Sequence, residues 1–168
     1  VRHDGKIVDP FAPQAADGVC GLNARDHGLW SPSVAAQFGY RNGEIISSGF
    51  TATPPDLKQL DLDHTALTPL RTTSPALLFY ARFINLLAGD RVRIVVNGPG
   101  GPLVEQLSEP LEHNRATYFS YAGKRRRDAP WQAGRYEARA EVIRDGAVAV
   151  AGVGELDLRA ETTSATTP

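Results

Sequence analysis

The side chains that most often do chemistry in proteins are few and widely separated in this sequence. It contains four histidines and one cysteine, at His3, His27, His64, His113 and Cys20. No two histidines have the His-x-His or His-Glu-x-x-His spacing that places metal ligands side by side. Cys20 and His27 could act as nucleophile and base only if the fold brought them together, and no third group that would orient the base is evident. The sequence therefore predicts no catalytic and no metal-binding residue in this chain.

A run of basic side chains flanked by aromatic rings is the most suggestive binding feature. Its residues are Lys124, Arg125, Arg126 and Arg127, with Tyr121 before them and Trp131 after them. Basic groups attract anionic polymers through charge, and aromatic rings add stacking contacts. We predict that these residues form a ligand-binding surface, with Lys124 to Asp128 as a charged loop. The structural alternative is that alternate aromatic rings face the core and the arginines form a solvated turn.

A long β-hairpin is predicted over Pro130 to Leu158, and the rest of the chain is organised around it. In its first arm apolar and charged side chains alternate with the period of two that a half-buried strand shows. The apolar set is Tyr136, Ala138, Ala140 and Val142, and the charged set is Arg135, Glu137, Arg139 and Glu141. Asp145 and Gly146 form a pair that tolerates the positive φ of a tight hairpin turn. Trp131 is predicted to plug the edge of the resulting layer.

The return arm of this hairpin is predicted to present one apolar side as well. That side carries Val148, Val150, Leu156 and Leu158. Gly152 and Gly154 lie between them and predict either a bulge or a close approach of another backbone. Because a two-stranded ribbon is only marginally stable, the apolar face requires a second sheet to cover it.

Length and composition indicate a globular protein. The chain has 168 residues, of which 22% are charged, with a formal net charge of −1. This balance predicts no nucleic-acid partner, and no apolar run approaches the roughly 20 residues of a membrane span. A single cysteine excludes an internal disulfide. The start at Val1, without Met or a signal-peptide pattern, predicts a mature chain or a piece of a longer one.

Short strands are predicted along most of the remaining sequence. Asn42-Gly43 followed by Glu44 to Thr51 favours a hairpin over a helical turn for residues 34–40. Residues 75–87 fit either a strand or a helix, because Ser74 and Pro75 resemble a helix start while the aromatic content favours a core strand; we take them as a strand. Further strands are predicted at 91–97, 103–107 and 116–122, with one or two short ones between 57 and 70.

The strand pattern predicts the fold class. About eight or nine short strands at near-regular spacing are typical of an antiparallel sandwich, and an immunoglobulin-like fold fits best. Trp131, Gly134 and Tyr136 are similar to the entry into the last hairpin of many extracytoplasmic immunoglobulin-like modules.

The first eleven residues form a separate pattern. Val1 to Phe11 reads as a short hairpin with an Asp4-Gly5 turn and a stop at Pro10. This segment resembles the closing hairpin of the lysostaphin-type (LytM-like) zinc endopeptidases, metallopeptidase family twenty-three. The matching residues are Val1, Arg2, Gly5, Val8, Asp9 and Pro10. The resemblance implies an upstream peptidase domain that cleaves peptide cross-links in the bacterial cell wall.

The family also implies where the metal centre would lie. Its zinc ligands are a His, an Asp and the second His of a His-x-His strand, and all of them would precede Val1. His3 falls two or more residues past the ligand position. We therefore expect no cofactor in this chain and zinc in the upstream part, so that the chain as given is inactive while its parent is a zinc metalloendopeptidase.

The organisation expected from these features has four parts. Residues 1–11 are the hairpin remnant of a peptidase domain, 12–35 a linker or wrap, 36–158 the sandwich, and 159–168 a disordered tail. The expected function is that of a non-catalytic accessory domain, periplasmic or secreted, that supports or targets a peptidoglycan endopeptidase. Its expected partners are the upstream peptidase domain and either peptidoglycan or another protein. The alternative is a stand-alone binding module for wall glycan or a protein partner, or a structural sandwich that binds a partner.

Overall fold

A computed structural model divides the protein into two compact units, Val1–Arg41 and Asn42–Pro168. It describes residues 2–3, 5–7, 29–37, 43–56 and 69–160. Predictions for Cys20, His27, His64, most of the segment 57–70 and the tail 161–168 fall outside these ranges. The domain limits expected from the sequence stay predictions.

The first unit contains a small ribbon and one short helix among its described residues. Strands β1 (Arg2–His3) and β2 (Lys6–Ile7) pair antiparallel around Gly5, whose φ is 77°. Helix α1 (Pro32–Gln37) begins after Ser31, whose carbonyl accepts a hydrogen bond from the Val34 N–H at 3.0 Å. The strand predicted for residues 34–40 is therefore wrong over 34–37. Pro32 at the first helical position, after a serine cap, favours the helix instead.

The described residues of the second unit form two antiparallel sheets. Its strands are β3 (Glu44–Thr51), β4 (Ala76–Leu86), β5 (Arg91–Gly98), β6 (Gly101–Leu107), β7 (Arg115–Arg125), β8 (Gly134–Arg144) and β9 (Ala147–Leu158). One sheet has the order β3-β4-β7 and the other the order β6-β5-β8-β9. The apolar faces of both sheets contribute to one buried core. The predicted all-β antiparallel sandwich is confirmed.

The strand order can be compared with an immunoglobulin constant-type sandwich, which has sheets ABED and CFG. If β3 to β9 are named A to G in chain order, the first sheet here has the strands A, B and E. In the second sheet strand D, which is β6, pairs with strand C, which is β5, whereas the immunoglobulin sandwich has strand D in the first sheet. The immunoglobulin-like assignment stays a prediction.

Strand β4 resolves the ambiguity at residues 75–87 in favour of the strand. It is the central strand of its sheet, and Leu77, Phe79, Ala81 and Phe83 on its core face are fully buried. Leu78 and Tyr80, on the opposite face, are also buried. A strand buried on both faces has a continuous apolar sequence, which explains why the pattern alone did not separate strand from helix.

The hairpin of β8 and β9 agrees with the sequence prediction except at one residue. Asp145 and Gly146 form the turn, with φ values of 50° and 78°. The apolar residues of the first arm are buried, as predicted. Val148 is 47% exposed, because the pairing register shifts between Val142 and Ile143. The side chains at the start of β9 therefore point to the opposite face of the sheet. A bulge of this kind moves the preceding side chains to the other face.

The glycines of β9 make room for side chains of the other sheet, so the predicted bulge or approach of another backbone is not found at them. A Cβ at Gly154 would lie 2.4 Å from Cε2 of Phe79, and one at Gly152 would lie 2.8 Å from Cδ1 of Ile45. Phe79 also packs edge-on against Phe50, with ring centroids 5.1 Å apart. Large rings from one sheet thus fill the space that small residues leave in the other, which gives the dense packing a core requires.

Candidate ligand-binding surface on strand β7

Strand β7 lies at one edge of the three-stranded sheet and carries most of the predicted binding residues. Ala122 is buried in the core beside Phe79, so its neighbour Tyr121 projects from the outer face, where it is 41% exposed. Side chains on one face recur every second residue, which places Phe119 and Arg125 on the outer face with Tyr121. The strand thus aligns two aromatic rings and one guanidinium along one face.

A third ring joins this row from the neighbouring strand. Tyr80 of β4 is the register partner of Tyr121. The ring centroids of Tyr80 and Phe119 are 6.2 Å apart, and those of Phe119 and Tyr121 are 6.0 Å apart. Tyr80 is only 4% exposed, and burial raises the pKa of its hydroxyl, an effect that the nearby Arg82 charge partly offsets. The row therefore has a buried end at Tyr80 and an exposed end at Tyr121.

The basic run is arranged differently from the predicted loop. Lys124 and Arg125 belong to β7 and pair with Leu77 and Ala76, so the loop prediction is wrong for both. Because neighbours in a strand point to opposite faces, Lys124 projects away from the face that carries Arg125. The pairing with β4 continues to the end of the run, where the Arg126 N–H donates to the carbonyl oxygen of Pro75 at 2.8 Å.

The two remaining arginines follow the strand. Arg126 is half-buried, and its Nε is buried without a hydrogen-bond partner among the described residues. Arg127 is exposed in the connection to β8. Within the described part of the chain, Lys124 and Arg125 make no ion pair. The strand end therefore presents Lys124, Arg125 and Arg127 as exposed positive charges.

Trp131 has a structural role that agrees with the predicted edge plug. Its Nε1–H donates to the carbonyl oxygen of Ser74 at 2.9 Å, and its backbone N–H donates to the Thr72 carbonyl at 2.8 Å. The half-buried ring packs against the core. Since its only side-chain donor is engaged, Trp131 ties the connection before β8 to the start of β4.

Gly123 is a position in this surface that sequence reasoning missed. A Cβ there would lie 2.2 Å from the Leu77 carbonyl oxygen and 2.7 Å from the Leu78 Cα. Backbone atoms cannot yield as a flexible side chain can, so only glycine fits between Tyr121 and Arg125. A glycine inside a strand signals a close backbone approach, which is the signal that could have found it.

The charges on the outer face of the other sheet are paired with one another. Glu141 lies between Arg93 and Arg139, and the Arg93 Nε donates to its Oε2 at 2.7 Å. Burial alone would raise the pKa of Glu141, but the hydrogen bonds from both arginines outweigh this and lower it. Arg135 forms a further pair with Glu155 at 2.5 Å.

A buried ion pair closes one end of the same sheet. Asp90 is fully buried and accepts hydrogen bonds from Nε and Nη2 of Arg144 at 2.8 and 2.7 Å. It also accepts one from the Leu87 N–H at 2.8 Å. These contacts fix the turn between β4 and β5 against the end of β8, and the hydrogen bonds to Asp90 raise the pKa of Arg144.

The described residues offer no other chemical constellation. None of their His, Cys, Asp and Glu side chains form a group of three or more placed to hold a metal ion. His113 is exposed. No helix in the described ranges has the length and hydrophobicity needed to cross a membrane.

Comparison with known proteins gives distant structural likenesses. No protein-family model and no curated protein matches the sequence. Among solved structures, one described as a β-galactosidase of Bacteroides fragilis matches 67% of this chain and 18% of its own, with 15% identity and a TM-score of 0.39. A β-glucuronidase of Bifidobacterium dentium matches 71% of this chain and 19% of its own, with 18% identity and a TM-score of 0.38. Both scores are too low to support an argument about function, and this chain spans less than a fifth of either protein.

Proposed function

We propose that this chain is a non-catalytic β-sandwich module that accompanies a peptidoglycan zinc endopeptidase and binds wall polymer along β7. The observation that carries the binding part is the row of Tyr80, Phe119 and Tyr121 leading to Arg125 on one outer face. Flat aromatic rings give contact area at low entropic cost, and an unpaired guanidinium adds attraction for carboxylates.

The chemistry of this surface suits a polymer that combines sugar rings with acidic peptide stems. Tyr121 offers an exposed ring face, and Arg125 lies four residues along the same side of the strand. At about 3.3 Å per residue, the two positions are about 13 Å apart, so one extended ligand segment could contact both. Lys124 and Arg127 would add longer-range attraction rather than direct contacts.

The link to a peptidase is supported by the ribbon at the N-terminus. Its two short strands and the positive φ of Gly5 have the form expected of the closing hairpin. In this proposal the zinc ligands belong to residues upstream of Val1, where the metal would act as a Lewis acid and lower the pKa of its bound water. The module itself would hold the polymer and orient the peptidase.

Two experiments test the parts of this proposal separately. The first is co-sedimentation of the purified 168-residue chain with purified bacterial sacculi at low salt, and the proposal predicts retention that salt weakens. A chain that stays in the supernatant at low salt contradicts the binding part. The second is the gene sequence upstream of Val1, which is expected to encode a His-x-His strand; an upstream reading frame without it contradicts the peptidase part.

The rival reading, that this chain alone hydrolyses peptide bonds, has its own test. Metal analysis of the purified chain and assay of released wall peptides should give neither stoichiometric zinc nor product. Stoichiometric zinc together with peptide release would contradict the accessory role.

A further inference from the structure

The end of β7 contains the only run of consecutive basic residues in the sequence. Lys124, Arg125, Arg126 and Arg127 follow one another, whereas every other lysine and arginine has neighbours of another kind. Three peptide bonds in the run follow a basic pair, namely those after Arg125, Arg126 and Arg127. An endopeptidase that recognises adjacent basic residues therefore has one stretch of substrate in this chain, with three bonds to choose from.

The structure exposes the last of these three bonds. Arg127, Asp128, Ala129 and Pro130 are all exposed in the connection to β8. Within the described ranges, no backbone hydrogen bond joins any of these four residues to another. Exposed connections of this kind are where proteases cut folded proteins. The bond between Arg127 and Asp128 is therefore accessible in the folded chain.

The two earlier bonds are protected by the sheet. Lys124 and Arg125 pair with β4, and the Arg126 N–H donates to the Pro75 carbonyl oxygen at 2.8 Å. A protease holds its substrate as an extended strand, so residues next to the cut must leave their own sheet. A cut after Arg127 requires release of the Arg126 hydrogen bond. A cut after Arg125 requires Lys124 and Arg125 to leave β4 as well.

We propose that the Arg127–Asp128 peptide bond is a proteolytic processing site for an endopeptidase that recognises adjacent basic residues. Arg126 and Arg127 form the basic pair before the cut, and acidic groups of such an enzyme would bind their guanidinium groups. Water adds across the carbon–nitrogen bond, which leaves a carboxylate on Arg127 and an amino group on Asp128.

The contacts on both sides of the cut keep the product assembled. β8, which follows the cut, pairs with β5 over seven residue pairs, and its apolar side chains lie in the common core. Trp131 also lies after the cut, and its Nε1–H donates to the Ser74 carbonyl oxygen at 2.9 Å. Residues 1–127 and 128–168 therefore remain one folded unit that noncovalent contacts hold together.

The first test is digestion of the full chain with kexin, an endoprotease that cleaves after pairs of basic residues, followed by mass spectrometry. We expect the fragments 1–127 and 128–168, with the bond after Arg127 cut about tenfold faster or more than the other two, since these need further hydrogen bonds broken. A synthetic peptide of residues 118–133 has the same sequence without the sheet, so all three bonds should be cut in it. A native chain that is not cut, or that is cut equally at all three bonds, would overturn the proposal.

A pair of variants locates the cut. Arg127→Gln removes the basic side chain before the bond and should slow cleavage of the native chain by about tenfold or more. Arg115→Gln makes the same change at the other end of β7 and should leave the cleavage rate unchanged. Thermal unfolding of both variants checks that they are folded. Equal cleavage of the two folded variants would contradict a site at Arg127.

Gel filtration of the cut chain tests whether the product stays assembled. Both fragments should elute together at the volume of the intact chain, and they should separate in denaturant. If residues 128–168 separate from the rest in native buffer, the pairing of β5 with β8 does not hold the cut chain together, and that part of the proposal is wrong.

Discussion

The two outer faces of the sandwich use charge in opposite ways. On the four-stranded sheet, Glu141 and Glu155 hold Arg93, Arg139 and Arg135 in ion pairs within the sheet. On the three-stranded sheet, an aromatic row leads to Arg125, which makes no ion pair among the described residues. A face whose charges are paired contributes to stability, whereas a face with an exposed ring and an unpaired cation can bind a ligand. The contrast predicts that substitutions on the first face change stability and those on the second change binding.

The largest effect is expected at the buried end of the charge-paired sheet. Asp90→Ala removes the carboxylate that accepts two hydrogen bonds from Arg144, and with it the acceptor of the Leu87 N–H. Breaking a buried pair in this way costs about 3–5 kcal/mol of stability, measurable by urea unfolding. Asp128→Ala, at an exposed acid, is the control and should change stability by less than about 0.5 kcal/mol. A loss of less than about 1 kcal/mol in the free energy of unfolding of Asp90→Ala would show that this ion pair contributes little to stability.

The next effect is expected at Glu141. Glu141→Gln removes the charge between Arg93 and Arg139 while it keeps the side-chain shape, so we expect a loss of about 1–3 kcal/mol at neutral pH. Glu137→Gln is the matched control, since this acid of the same strand forms only an exposed ion pair, with Arg135 at 3.0 Å, and such a pair contributes less than about 1 kcal/mol. Equal stabilities of the two variants would contradict the role given to the buried carboxylate.

The stability difference between wild type and Glu141→Gln should depend on pH. Because the pKa of Glu141 is lowered in the folded chain from its ordinary 4.5, its contribution is present above 4.5 and is lost as the pH falls through the folded value. Unfolding curves at neutral pH and at successively lower pH below 4.5 should therefore converge for the two proteins. A difference that stays constant through the acid range would argue against this pKa shift.

An intermediate effect is expected for Tyr121, and on binding rather than stability. Tyr121→Ala should weaken retention on sacculi by about tenfold, the scale of one aromatic stacking contact. Its free energy of unfolding should change by less than about 1 kcal/mol, since the ring is exposed at the edge of the sheet. If folded Tyr121→Ala binds sacculi as well as wild type does, the aromatic row is not part of the ligand-binding surface.

The smallest effect is expected for Arg125. Arg125→Ala should weaken retention by about two- to fivefold at low salt, and the difference should vanish at about 1 M salt, where exposed charges are screened. Arg115→Ala removes the same side chain at the other end of β7 and serves as the control. If both variants lose retention equally, the ligand is attracted by the positive charges of the chain in general and Arg125 makes no specific contact with it.

The sequence was informative where local chemistry decides the structure. The alternation through Tyr136 and Val142 and the Asp145-Gly146 turn predicted the last hairpin, because both signals are contained in neighbouring residues. Val148 was misplaced because a bulge depends on the pairing with Ile143 and not on the sequence of β9 alone. Trp131 was correctly expected at the sandwich edge, since a large ring next to a strand needs a partly buried place.

The candidate surface was only partly predictable. Tyr121 and Arg125 were identified by residue type, but their shared face requires β7 to continue through the basic run, where a charged loop was expected. The contribution of Tyr80 depends on the register of β4 against β7, which no local pattern contains. The pairing of Asp90 with Arg144 likewise joins residues 54 positions apart in the chain.

The most direct test of the account is to measure sacculus binding and unfolding free energy on the same preparations of wild type, Tyr121→Ala and Glu141→Gln. We expect a crossed result, in which Tyr121→Ala loses binding and keeps stability while Glu141→Gln loses stability and, while folded, keeps binding. If both variants lose binding in proportion to their loss of stability, or if neither changes binding, the outer face of β7 is not the ligand-binding surface.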